Sequence, residues 1–178
     1  MEYVYLVASL PTLALTAVPR ISSDTLLASS AGVLRPDHRE DLRAIVEDRP
    51  QDVRASELKP YWNADTQLRD ALARIRAARA GAAYDAHAHP FGGYDARCVG
   101  AAERAMELDD PLERELLLDD LRWTLLGELA ASPPFGFQAV LAYALKLRLA
   151  EKWAAMDEAE GLRIAAGLAD RALAGVTR

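Results

Sequence analysis

The chain has 178 residues, 51% hydrophobic and 27% charged, with a formal net charge of -6. That length allows one domain with one substantial core, and a composition rich in alanine and leucine favours helices. An acidic chain with no basic stripe argues against a nucleic-acid phosphate footprint, and no run reaches the roughly 20 apolar residues that a bilayer span takes.

Cys98 is the single cysteine of the sequence, so no intramolecular disulfide can form, which fits a reducing cytosol. Residues 3–9 are apolar, with aromatic and β-branched side chains that suit a strand and a length that suits either element; Pro11 ends the run. The run lacks a basic region ahead of it and is a poor match to a secretory signal, so a cytoplasmic protein is expected.

From Ile21 the pattern is helical. Ser22 or Ser23 caps, Asp24 follows in the first turn, Leu26 and Leu27 face inward, and Gly32 stops the element. Pro36 opens a short polar helix through about Glu47, with His38 expected at its surface. Residues 49–60 hold two prolines and mostly polar side chains and read as a connection. Asn63 or Asp65 then caps an amphipathic helix with Leu68, Ala71, Leu72, Ile75 and Ala78 on one face and Arg69, Arg74, Arg76 and Arg79 mainly outside it. Gly81 closes that helix.

Residues 84–100 read as irregular, with a helix resuming near Tyr94 and running toward Leu108. Asp110, Pro111 and Glu113 supply a cap, a first-turn proline and a third helical residue that can reach back. The helix they open has two apolar seams, Leu112, Leu116, Trp123 and Ala130 on one side and Leu118, Leu121, Leu125 and Leu129 on the other, and is expected to be buried on both. Residues 103–122 carry eight acids against three arginines. The pairs Asp109-Asp110 and Asp119-Asp120 read as a cap and an exposed face.

The stretch 133–156 organises the rest. Pro133-Pro134 breaks the preceding helix, and two seams follow at helical spacing: Val140, Tyr143, Leu147 and Ala150, then Leu141, Leu145, Leu149 and Trp153. Lys146, Arg148, Glu151 and Lys152 fall between them. A helix that is oily on two sides sits between partners. The expectation is therefore an all-α, single-domain helical bundle with an N-terminal part over 1–81 and a helical-hairpin core within 103–174, this helix being its hub. Asp157 and Glu160 predict a final helix with Ile164, Ala165, Leu168 and Ala172 inward, in which Gly161 and Gly167 cost about 1 kcal/mol each against alanine.

One stretch looks chemical, Asp85-Ala-His87-Ala-His89. Two imidazoles two residues apart on a strand point to the same side and can hold one ion, as at the opening of some metal-dependent hydrolases. A barrel hydrolase needs further histidines and about 250 residues; His38 is the one other histidine in the sequence. The alternative function is thus a metal-binding module or hydrolase using His87 and His89, with zinc completed by Cys98 and Asp85 or Asp95. Cys98 has no cap or basic cluster in sequence to activate it as a nucleophile, and Gly92-Gly93 lacks the lysine of a phosphate loop. Trp62, Trp123 and Trp153 read as packing residues. No residue is assigned to catalysis, to a cofactor or to a metal.

A resemblance enters on particular residues. Asp120, Arg122-Trp123, Leu126, Glu128-Leu129, Pro134-Phe135, Val140-Leu141-Ala142-Tyr143, Lys146-Leu147, Glu151, Trp153, Asp157 and Gly161 give the segment 113–168 its text. This segment resembles a bacterial family of unknown function associated with V-type ATPase gene clusters. Tyr3, Tyr5-Leu6-Val7-Ala8, Ser9-Leu10-Pro11 and Ile21-Ser22-Ser23 look like that family's start, and Leu68-Arg69, Leu72 and Arg76-Ala77 like its middle. Residues 135–151 are in turn similar to the closing helices of the C-type (also called d-type) subunit of V/A-type rotary ATPases. The chain is clearly shorter than a full subunit of that type with its three helical units. The resemblance implies an all-helical, non-catalytic coupling subunit of the central stalk, linking the central shaft to the membrane rotor ring, peripheral to the membrane through those partners and without cofactor. Exposed acids such as Glu115 and Asp119 are its expected contacts with basic partner surface.

Overall fold

A computed structural model describes residues 3–84 and 89–156. Among these residues the chain forms helices and no strand: α1 (Val4–Ser9), α2 (Ser23–Ser29), α3 (Pro36–Val46), α4 (Lys59–Arg79), α5 (Ala96–Glu107), α6 (Pro111–Ala131) and α7 (Phe137–Ala154), with two 3-10 turns at Pro50–Asp52 and Ser56–Leu58. The final helix expected from Asp157 onward lies outside the described residues.

The local signals act mostly as their chemistry dictates. Ser22 Oγ accepts from the Thr25 amide at 3.1 Å and Asp110 Oδ1 from the Leu112 amide at 2.8 Å, each satisfying a donor that the first helical turn leaves unpaired. Gly32 and Gly81 follow α2 and α4 with φ of 76° and 64°, the left-handed backbone that glycine adopts without a Cβ clash. The ambiguous run at 3–9 forms helix α1. Leu6 is its buried side chain, with Tyr3 buried at its N-cap, whereas Tyr5 is 93% exposed. A helix satisfies its own backbone, and a strand here has no sheet among the described residues to pair with.

Two expectations on helix boundaries and surfaces are corrected. Helix α4 starts at Lys59, not at Asn63 or Asp65, because Pro60 suits a first turn and because Leu58 and Tyr61 are both buried. Asn63 and Asp65 lie inside it, and Asp65 is buried. His38 is also buried, at 7% exposure. Its ring stacks on Phe137 at 3.6 Å between centroids, Tyr3 Oη lies 2.8 Å from Nδ1, and Arg35 Nη2 reaches Nε2. Three partners from three parts of the chain make an imidazole interior although its own helix reads as polar.

The hub is as expected. One core packs Leu68 and Leu72 of α4 and Ala101, Ala102 and Ala105 of α5 against Leu118, Leu125 and Leu126 of α6 and Ala142 of α7. The alanines on α5 allow the close approach of its neighbours. A second core packs Tyr3, Leu6, Leu26, Leu42, Ile45 and Leu58 against Val140, Leu141, Ala144 and Leu147 of α7. Leu145 and Trp62 border both. Burial of each leucine or valine contributes about 1.5–3 kcal/mol, so the two-sided helix holds the two halves together.

Helix α6 behaves differently from its pattern. Its seam through Leu118 and Leu125 is buried, but on the other seam Leu112 is 51% and Leu116 37% exposed. Among the described residues α6 has neighbours on one side and along α7 only.

Polar side chains fasten helix ends across long stretches of sequence. Glu151 of α7 accepts from both Ser23 N and Ser23 Oγ at 2.6 Å, at the start of α2. Arg148 donates to the carbonyls of Ile45 and Val46 at 3.0 and 2.5 Å, closing the end of α3. Tyr143 Oη donates to Pro11 O at 2.8 Å, and burial pushes its hydroxyl up to about 12. Arg79 donates to Met106 O and Arg114 to Ala105 O and Leu108 O, closing α5. The arginines among these supply the positive charge that a helix C-terminus prefers, and Glu151 the negative charge that an N-terminus prefers.

Candidate functional site

The densest polar constellation lies where α4, α6 and α7 meet. Asp119 is fully buried, and both of its oxygens are committed. Oδ1 accepts from Arg122 Nη1 at 2.8 Å, and Oδ2 from Trp153 Nε1 at 2.9 Å and from Lys152 Nζ. Arg122 Nε continues to Asp65 Oδ1 at 2.8 Å, and Arg69 Nε holds Asp65 Oδ2 at 2.8 Å. Lys152 also reaches Glu115 at 2.8 Å. Burial by itself pushes the Arg122 guanidinium down, but the charge of Asp65 and the hydrogen bonds to Asp65 and Asp119 more than offset it, and the net direction is up. Lys152 follows the same logic against Asp119 and Glu115. Every charge here has an opposite charge in reach, which is the condition under which charges are tolerated away from water.

This constellation corrects the reading of Asp119, which is no part of an exposed face and is buried away from any partner, whereas Glu115, paired with Lys152, keeps 43% of its side chain exposed. The network adjoins a groove of about 430 Å³ that Trp62, Arg69, Arg148 and Leu149 help to line. With its carboxylates bound to cations, the arrangement ties three helices together and offers no spare acid-base pair.

The residues of the metal alternative are only partly described. His87 and Asp85 lie outside the described residues. His89 is with Asp70: its amide donates to Oδ2 at 3.0 Å and Nδ1 lies 3.4 Å from Oδ1. Burial favours the protonated Asp70 carboxyl, but its bonds with Tyr84 and His89 outweigh this and hold it below the usual range. Cys98 is fully buried, its Sγ donating to Ala64 O at 3.4 Å, and burial pushes the thiol up to about 11. Asp95 accepts from Arg97, and Gln67 brackets its backbone at 2.7 and 2.9 Å. Among the described residues, no group of three His, Cys, Asp or Glu side chains is placed to hold a metal ion.

Lys146 is a residue that the apolar pattern alone does not single out. It lies between the two seams of α7, its Nζ 4.9 Å from the centroid of the Trp123 ring, and desolvation pushes its ammonium down. Gly127 makes room for it, since a Cβ there would come within 3.1 Å of Nζ. A tryptophan on one helix of a hairpin and a lysine between the seams of the other is a cation–π signal that a sequence can carry.

Residues 102–172 match the model of a family described as "Protein of unknown function (DUF2764)". The match covers the end of α5 and the whole α6–α7 hairpin and continues beyond Met156. No curated protein and no solved structure matches the chain. No helix among the described residues is long and apolar enough to cross a membrane.

Proposed function

We propose that this protein is a non-catalytic coupling subunit of a V/A-type rotary ATPase, similar to the C-type (d-type) subunit, which presents a cross-braced helical body between the central shaft and the membrane rotor. The supporting observation is where the polar side chains are spent. Asp119, Arg122, Lys152 and Trp153 lock α4, α6 and α7 to one another, while Arg148 and Glu151 lock α7 to α3 and α2. A body braced this way resists shear between its helices, as a part that passes torque or positions a shaft must. The resemblance of residues 113–168 to proteins of V-type ATPase gene clusters supplies the partner. With Asp119 engaged internally, Glu115 and the solvent-facing acids at the corner of α5 and α6, Glu103, Glu107, Asp109 and Glu113, take the part of contacts with basic partner surface. The protein then reaches the membrane through its partners.

The test is retention. An affinity-tagged full-length chain expressed in its own host and purified in mild detergent is expected to carry the shaft and ring subunits of the ATPase in fixed ratio. Absence of every ATPase subunit from the purified material refutes the proposal. Changing His87 and His89 together to alanine is expected to leave that retention unchanged.

A further inference from the structure

Three of the 21 basic residues are lysines, and each stands in a different setting. Lys59 opens α4 and is exposed. Lys152 is held by Glu115 at 2.8 Å and by Asp119; burial alone pushes its ammonium down, but those two carboxylates outweigh it and the net direction is up. Lys146 has neither full hydration nor a carboxylate. It lies partly buried in the α6–α7 hairpin, with Nζ 4.9 Å from the centroid of the Trp123 ring. The acids of the two helices are spent elsewhere or turned outward: Glu115 and Asp119 serve Lys152, Glu128 serves Arg97, Glu151 holds Ser23, and Asp120 faces solvent. The neighbouring cations are likewise engaged, Arg122 with Asp65 and Asp119 and Arg148 with the end of α3.

An amine in this setting is a nucleophile in waiting. Loss of water without the gain of a counter-charge disfavours the ammonium, and desolvation pushes it down. The indole face gives back part of what the lost water supplied, but it brings no full negative charge. Gly127 keeps the nitrogen clear, since a Cβ there would come within 3.1 Å of Nζ. Lys146, Trp123 and Gly127 each keep part of their surface open, so the hairpin leaves a way in from solvent. A small reagent suits a nitrogen whose free side is a gap the size of a missing methyl group.

We propose that Lys146 is an acyl-acceptor site, which small acyl phosphates modify at Nζ ahead of Lys59 and Lys152. The neutral amine attacks the acyl carbon and a C–N bond forms. The bond from that carbon to the phosphate oxygen breaks, phosphate leaves with the electron pair, and the extra proton on nitrogen passes to water. The product is a neutral amide beside Trp123. Modification thus removes one positive charge from the hairpin without breaking any of the ion pairs that tie α4, α6 and α7 together. This inference is independent of the ATPase assignment.

Acetyl phosphate added to the full-length chain tests it, with peptide mass spectrometry giving the rate at each lysine. At about pH 8, Lys146 is expected to acetylate about fivefold or more faster than Lys59, with Lys152 the slowest. The lead over Lys59 should shrink toward about pH 11, where an ordinary lysine is itself largely neutral, and should vanish in urea. A Lys146 that reacts no faster than Lys59 at about pH 8 overturns the proposal, and so does a preference that survives unfolding. Gly127→Ala gives a second measurement, in a helix interior where alanine is well tolerated. It is expected to slow Lys146 about threefold or more and to leave Lys59 unchanged, because the added methyl displaces the amine toward water. An unchanged rate at Lys146 refutes the part given to the glycine gap and with it the site.

Discussion

Removing the carboxylate of Asp119 is the most direct perturbation of the brace. In Asp119→Ala, Arg122, at 15% side-chain exposure, loses one of its two close carboxylates, Trp153 Nε1 loses its acceptor and Lys152 keeps only Glu115. Breaking a buried pair by removing one partner costs about 3–5 kcal/mol, most of it from the charge left behind. For a chain of this size each kcal/mol lowers the melting temperature by about 2–4 °C, so a fall of about 6–20 °C is expected. Asp119→Asn keeps the volume and an acceptor for Trp153 but not the charge, and should cost about 1.5–3 kcal/mol, the worth of hydrogen bonds to a charged group. Glu113→Ala, on the exposed side of the same helix, should stay within about 0.5 kcal/mol. Helical circular dichroism followed through heat and urea denaturation measures all three. An Asp119→Ala chain within about 1 kcal/mol of the parent refutes the argument that this carboxylate holds three helices together.

Arg97 gives a prediction in pH. Its bidentate contact with Glu128, at 2.5 and 3.0 Å, and its contact with Asp95 at 2.7 Å hold both carboxyls below their ordinary values of 4.5 and 3.8. A carboxyl depressed on folding adds stability above its ordinary value and loses it as pH falls through the depressed one. Parent and Arg97→Gln should therefore differ most above pH 5 and converge toward pH 3, by less than about 1 kcal/mol because the groups are exposed. A difference that grows on acidification would refute this. Cys98 should react with a thiol reagent at pH 8 orders of magnitude more slowly in the native protein than in urea, since its sulfur is enclosed and its thiolate disfavoured. Prompt native-state labelling would show that the α4–α5 contact opens readily.

The hub was legible because α7 writes both of its environments into the sequence as two apolar seams, and α6 is legible at its start because Asp110 and Pro111 have no competing use. The start of α4 was not, because Asn63 and Asp65 are good caps in isolation and only the burial of Leu58 and Tyr61 decides against them. The brace was hidden for a related reason: Asp119 stands in a run of acids and looks solvated. One signal was there. Asp119 lies seven residues before Leu126, so the two share a helical face, and the second of them is fully buried. His38 could not be read at all, since its surroundings come from Tyr3, Arg35 and Phe137, the last of them 99 positions further along the chain. The seam of Leu112 and Leu116 misled in the other direction, since periodicity records that a face is apolar without recording which segment covers it.

Where the first residues find their anchors has a consequence for synthesis. Tyr3 bonds to Phe135 O, Pro11 receives Tyr143, Ser23 is gripped by Glu151 and the end of α3 by Arg148. A ribosome delivers residues 3–46 roughly a hundred codons before the helix that receives them. During that interval Leu6, Leu26 and Leu42 lack the α7 side chains that complete their core, and apolar surface exposed in this way is what makes partly folded chains prone to aggregate.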